Sequence, residues 1–261
     1  MPRTSSHETT SEDMTRSQKD LYDARWRDQP AELGRETRLW LHRFAEHQEL
    51  VAGLLKQLDV ECPEVLELGC GVGGIANWLA SQGVHVTAID VSPEAIQAAR
   101  RRAASLDRPP VFHCAELRRT ADWVGPFHVV LAFDLIEHLP PDDLLETLTN
   151  VGRMLSPGGL FLCTTPNRTR LVNRLRALLG RPLSMYEAHE HEYAVDELLA
   201  LLARAGLKPT SIAGCHLVAP GWTFGVPLVH PLSRWLGRAF PRLAAGLVVV
   251  ATKAEEPGKR S

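Results

Sequence analysis

No stretch of 18 uncharged apolar residues occurs in the chain, so a membrane-spanning helix is not expected. The opening MPRTSSHETTSEDMTRSQKD has no apolar run behind its basic residue, and a secretory signal is not expected either. Cysteine is scarce. Cys62, Cys70, Cys114, Cys163 and Cys215 are odd in number, form no C-x-x-C pair and have no Cys/His spacing suited to zinc, which points to reduced thiols in a cytoplasmic protein. Neither sign of charge dominates, since 29 Lys plus Arg against 31 Asp plus Glu leave a net charge of -2. Such a balance gives no global field for a nucleic acid backbone, and a nucleic acid partner is not expected. Internal repeats and low-complexity core segments are absent as well.

What is present suits one large α/β core. The chain has 261 residues, long for one domain and short for two, and is 44% hydrophobic, enough to bury a sizeable interior. Residues 1–20 are Ser, Thr and charge and read as a disordered tail; 255–261 read as a second tail. From 21 to 58 apolar residues recur at three- and four-residue steps, predicting helices that cover the core. The main domain is then 59–254. Short apolar runs at Val65–Leu68, Val84–Ile89, Val111–Cys114, Val129–Phe133 and Leu160–Thr164 alternate with helical stretches, which predicts a doubly wound, mostly parallel sheet. Ser92, Pro93 and Glu94 mark a helix start. The β-branched run Leu247–Ala251 stands alone and predicts a late antiparallel strand.

Between the first strand and the next helix lies Glu67-Leu68-Gly69-Cys70-Gly71-Val72-Gly73-Gly74. Glycines at such a turn let a ligand approach the backbone at a helix start, and Gly69, Gly71 and Gly74 alone would also satisfy a dinucleotide fingerprint. Two acids narrow the choice. Glu67 would repel a pyrophosphate but attract a cation. Asp90, 21 residues after Gly69, ends the second strand, where a carboxylate accepts from ribose hydroxyls. Together they describe a nucleoside with a positive, non-phosphorylated arm.

These landmarks, with Asp134-Leu135-Ile136-Glu137-His138-Leu139 and the later Pro157-Gly158-Gly159 turn, resemble the class I S-adenosylmethionine-dependent methyltransferases over about Leu58 to Leu207. The resemblance implies a Rossmann-like, seven-stranded fold with S-adenosylmethionine as cofactor. It implies that Glu67, Gly69, Cys70, Gly71 and Gly73 surround the methionine part, that Asp90 holds ribose, and that Val91 packs on adenine. Cys114, Ala115 and Glu116 would flank the adenine edge, and Phe133 belongs to the same cofactor set. Many relatives carry Asp where this chain has Cys114, so that contact would pass to the Ala115 backbone or to Glu116.

An activated methyl needs an aligned nucleophile and little covalent help, but a hydroxyl acceptor gains from a base. His138, His189 and His191 are the candidates. The small-molecule branch of the family resembling the ubiquinone-pathway O-methyltransferases has an E-x-x-E-H cluster suited to a divalent metal such as Mg2+. Here it reads Asp134-x-x-Glu137-His138, with an acid one methylene shorter; the alternative is that these acids merely start a helix. Arg168, Arg170, Arg174, Arg176 and Arg181 alternate with leucines and predict a basic helical insertion at about 168–181, either a plain surface helix, a cover over the acceptor or a peripheral membrane contact. Trp222, Phe224, Trp235 and Phe240 fit a core, an apolar acceptor pocket or the same interface. The expected activity is O-methylation of a small, hydroxylated, apolar acceptor. N- or C-methylation and a non-catalytic cofactor-binding protein are the alternatives, and the oligomeric state is left open.

Overall fold

The computed structural model describes residues 35–117, 125–186, 188–218 and 229–254. Both proposed tails, Trp222 and Phe224 lie outside the described residues. Helix α1 spans Arg35–Leu55, followed by β1 (Glu64–Leu68), α2 (Gly74–Ser81), β2 (His85–Asp90), α3 (Pro93–Ala103) and β3 (Val111–Cys114). Then come β4 (Phe127–Phe133), a 3-10 turn (Ile136–His138), α4 (Pro141–Met154), β5 (Leu155–Pro166) and α5 (Leu171–Leu178). The chain continues through α6 (Val195–Arg204), β6 (Leu207–Gly214), α7 (Val229–Ala239), a second 3-10 turn (Pro241–Leu243) and β7 (Gly246–Lys253).

Seven strands form one sheet in the order β3-β2-β1-β4-β5-β7-β6, parallel except where β7 runs antiparallel to both β5 and β6. The doubly wound sheet and its late antiparallel strand are as the sequence predicts. Alternating side chains feed two cores. Leu66, Val130, Phe161 and Cys163 face α4 and α6, whereas Val65, Val129, Leu131 and Leu162 face α1, α2 and α3. Val51 and Leu54 of α1 are buried in the second core. Ser92 caps α3, its Oγ accepting from the Ala95 N–H at 3.1 Å.

Two elements depart from expectation. Strand β6 carries Lys208 and Pro209 and lacks a clear apolar run; it forms because it is an edge strand, where a missing N–H is tolerated, and its register shifts between Pro209 and Ser211. The basic helix is also shorter than the predicted 168–181, because Asn167 Oδ1 accepts from the Thr169 N–H (3.0 Å) and holds a turn ahead of α5. At the other end Gly180 takes φ +65° and stops the helix, so Arg168, Arg170 and Arg181 lie outside it.

Candidate active site

The site gathers at the carboxyl edge of β1, β2, β4 and β5, where an open α/β sheet changes winding direction. In the loop after β1, Gly69, Gly71 and Gly73 all have positive φ, at +67°, +51° and +74°. A Cβ on Gly69 would come within 2.7 Å of Leu135 Cδ1, so the close packing of the loop on the turn after β4 needs glycine. Gly71 donates its N–H to Asp90 Oδ2 (2.8 Å), and Ser92 donates to Asp90 Oδ1 (2.9 Å). Asp90 therefore ties the glycine loop to the end of β2. Cys70 is buried, donates its backbone N–H to Ile89 O (2.9 Å), and has its thiol pushed far up by burial and by the Glu67 and Asp90 charges.

Glu67 lies beneath this loop. It is 4% exposed, and burial, with Asp90 nearby, pushes its carboxyl up to about 8 against one hydrogen bond from the Ala76 backbone. Its Oε2 has no partner among the described residues. A buried carboxyl oxygen left this way costs roughly 1 to 3 kcal/mol until a donor meets it. Beyond β2, Ala115 donates to Asp90 O (3.0 Å) and the Cys114 thiol to Val91 O (3.5 Å), so the residues expected around adenine do sit together; Glu116 follows them, half-buried.

On the other side of β4 lies a cavity of about 810 Å³. Asp134, Thr164 and Thr165 line it from the ends of β4 and β5, and α1 contributes Arg43, Glu46 and His47. Asp134 has φ +48°, a left-handed backbone that costs a non-glycine residue roughly 1 to 2 kcal/mol. The Asp134 N–H donates to Thr164 O (3.0 Å), and its carboxylate pairs with the Arg43 guanidinium and stands 3.7 Å from His47 Nε2. Burial pushes this carboxyl up, but Arg43 and His47 outweigh it and hold the group below its ordinary value. His47 stacks on Phe133 at 4.1 Å between ring centres. Burial lowers the His47 pKa, with Asp134 opposing, so the imidazole is neutral near pH 7.

The three histidines named from sequence divide. His138 Nδ1 lies 2.8 Å from Ala188 O, so this nitrogen carries a proton and donates it to the carbonyl. His189 Nδ1 faces Glu192 Oε1 at 3.1 Å, and its ring meets that of His138 edge to face at 4.9 Å. His191 belongs to another network, with Glu197 at 3.0 Å and Arg168 at 3.5 Å. Glu137, His138 and His189 bring ligand atoms within 4.8 Å of one another, whereas the Asp134 carboxylate is taken by Arg43 and falls outside that set. Glu137 is 1% exposed, pushed up by burial and by Asp134, and accepts from the Thr165 hydroxyl at 3.0 Å. Thr165 and Glu192 line the cavity, and His138 and His189 stand behind them. Sequence reasoning missed Arg43 and His47; their four-residue spacing on a helix was the available signal.

Residues 31–212 match the family model described as a methyltransferase domain. The chain belongs to this family. Among curated proteins, this methyltransferase-domain chain is 30% identical over 166 residues to the ubiquinone biosynthesis O-methyltransferase of Xylella fastidiosa (strain 9a5c), covering 61% of this chain and 66% of that one. It is also 30% identical over 157 residues to the same-named protein of Aromatoleum aromaticum, covering 58% and 66%. The matches thus span just under two thirds of those relatives' length. Among solved structures, magnesium protoporphyrin IX methyltransferase from Synechocystis PCC 6803 aligns with a TM-score of 0.66 at 15% identity, over 92% of this chain and 100% of that one. That likeness shows the fold.

Proposed function

We propose that this protein is an S-adenosylmethionine-dependent O-methyltransferase for a small, hydroxylated, apolar acceptor of quinone type. The observation that carries the reading is the buried, unpartnered Glu67 Oε2 beneath a glycine loop tied to Asp90. A carboxylate there suits the cofactor's ammonium and would repel a pyrophosphate. The cofactor, when bound, supplies a methyl group already electrophilic on its sulfonium. Gly69, Cys70, Gly71 and Gly73 shape the cradle, and Asp90, at the end of β2, holds the ribose. Val91, Ala115 and Glu116 border adenine, and Phe133 separates the cofactor from the acceptor cavity. His47, on the cavity wall and neutral, takes the proton of the acceptor hydroxyl while Asp134 steadies the imidazolium that results. His189, oriented by Glu192, is the second reading for the base. Glu137, His138 and His189 bring ligand atoms within 4.8 Å of one another and would suit a divalent cation, with two nitrogen donors favouring a transition metal over Mg2+; none of the three lines the acceptor cavity.

The cavity supports an apolar acceptor. Of the five arginines that line it, Arg43, Arg170 and Arg234 are each met by a carboxylate, from Asp134, Glu192 and Glu49, so those three charges are largely cancelled, and Arg176 and Arg238 complete the set. α5 and the loop after it, which line the cavity through Val172, Arg176, Met185 and Tyr186, also expose Leu175, Leu178 and Leu179, while α7, which lines it through Arg234 and Arg238, exposes Leu232 and Trp235. Leu178 is 83% exposed and Trp235 is 64% exposed, which sets aside core packing for that tryptophan. Apolar side chains set among arginines fit a peripheral contact with an anionic bilayer from which a lipid-like acceptor enters. No helix among the described residues is long and apolar enough to cross a membrane. The test is methyl-labelled cofactor with a hydroxylated aromatic bearing an isoprenoid tail, presented in anionic vesicles. Label on the oxygen is expected, and the double variant Leu178→Asp with Leu179→Asp should lose vesicle binding but keep cofactor affinity. Label on carbon or nitrogen, or no turnover with any hydroxylated aromatic, would overturn the O-methylation reading.

A further inference from the structure

A second cluster of metal-capable side chains lies away from Glu137, where α1 meets the C-terminal part of the chain. His42 and Glu46 are one helical turn apart on α1, His216 follows β6, and His230 is in the first turn of α7. Glu46 Oε1 stands 2.7 Å from His216 Nε2 and 3.6 Å from His42 Nε2. Ligand atoms of His42, Glu46 and His216 all lie within 4.8 Å of one another. The His230 ring closes the group, 4.8 Å from the His42 ring and 5.1 Å from the His216 ring between centres. His216 is 2% exposed, and its Nδ1 has no hydrogen-bond partner among the described residues.

We infer that His42, Glu46 and His216 form a three-donor binding site for a transition-metal ion of the Zn2+ class, with the His230 ring packed beside them. Tetrahedral Zn2+ takes nitrogen and carboxylate oxygen at about 2.0 to 2.2 Å, which spaces neighbouring donors about 3.3 Å apart. The 3.6 Å and 2.7 Å separations bracket that value, so small side-chain movements convert the present hydrogen bond into coordination. The same bond lengths put the centres of adjoining imidazoles roughly 5 Å apart, as these rings are. Arg234 Nε approaches Glu46 to 3.9 Å, but its guanidinium is paired with Glu49. An ion here would clasp α1 to β6 and α7, and through α1 it would hold Arg43 and His47 over the cavity. Two imidazoles and one carboxylate, with a fourth position left for water, match Zn2+, Co2+ or Ni2+ and not Mg2+ or Ca2+.

The chelator-stripped full chain is titrated with Zn2+ and, separately, with Co2+, reading bound metal by elemental analysis, the cobalt visible spectrum and thermal unfolding. Because the set at Glu137 also offers ligands, the measurement is the change in stoichiometry. Wild type and Glu137→Gln should both hold an ion that His42→Ala and His216→Ala each bind at least 10-fold more weakly, and the Co2+ spectrum should be that of a four-coordinate nitrogen and oxygen site. His42 lies on a helix, where alanine is well tolerated, so His42→Ala keeps the test valid if His216→Ala fails to fold. Zn2+ should raise the unfolding temperature of wild type more than that of His42→Ala. Equal binding by wild type and His42→Ala, a thiolate-to-cobalt band, or loss of all binding in Glu137→Gln would each overturn the inference.

Discussion

In the glycine-loop half of the site the meeting partners lie near one another in the chain and bond through backbone, as when Gly71 donates to Asp90 across 19 positions. In the cavity half they are side chains from distant elements: Thr164 faces His47 across 117 positions, His216 meets Glu46 across 170, and Arg234 meets Glu49 across 185. Local backbone geometry leaves little freedom in the first half. The second half depends on which side chains distant helices bring, and it can be refitted to a new acceptor by changing them.

Substitutions can break that contrast. The largest effect is expected from Gly71→Val: a β-branched residue is strained at φ +51° and would occupy the cradle, so cofactor affinity should fall more than 100-fold while circular dichroism stays native. Intact binding would place the cofactor elsewhere. Next, His47→Ala should lower kcat about 100-fold with the cofactor Kd within a few-fold, since a base acts in the transition state. Its lowered pKa adds a sign: the acidic limb of kcat/KM should lie below the ordinary imidazole value of 6.5. If His189→Ala shows the rate loss instead, the base is His189.

The smallest change, Glu67→Gln, sharpens the comparison. Cofactor affinity should drop about 10-fold, the scale of one charge-assisted hydrogen bond. With its carboxyl at about 8, wild-type Glu67 is mostly protonated at pH 7 and must ionise to meet an ammonium. Binding should then release close to one proton, seen as a buffer-dependent calorimetric heat, and Glu67→Gln should release much less. The same shift acts on folding. A carboxyl raised in the folded state contributes stability that is full below its unfolded value, near 4.5, and is lost as pH climbs through 8. Urea midpoints of the ligand-free protein from pH 5 to 8 should therefore fall less steeply in Glu67→Gln; parallel slopes would show that Glu67 is ionised throughout.

This contrast also decides what could be read without coordinates. The strand runs, the Ser92 cap, the Glu67–Gly73 loop and Asp90 carry their meaning within a few neighbours, and the sequence displays them. Strand β6 was obscured because an edge strand with Lys208 and Pro209 borrows its stability from β7. Arg43 and His47 were hidden for a related reason: on α1 they look like ordinary helix charges, and only packing against β4 turns them toward Asp134. Of the three residues Asp134, Glu137 and His138, Asp134 pairs with Arg43, and His189, 51 residues beyond His138, is the side chain that packing brings beside Glu137 and His138.

The distance from Glu46 to His216 also sets an order of assembly in the cell. A ribosome adds about 5 to 20 residues per second, so roughly 10 to 30 seconds pass between the two. Within that interval β1, β2 and the loop held by Asp90 gain their partners and α1 can already pack through Val51 and Leu54, while Glu46 still waits for the strand and helix that bring His216 and Arg234. The acceptor chamber is thus the last part that translation can complete, and a truncated nascent chain would carry a finished cofactor cradle beside an open wall.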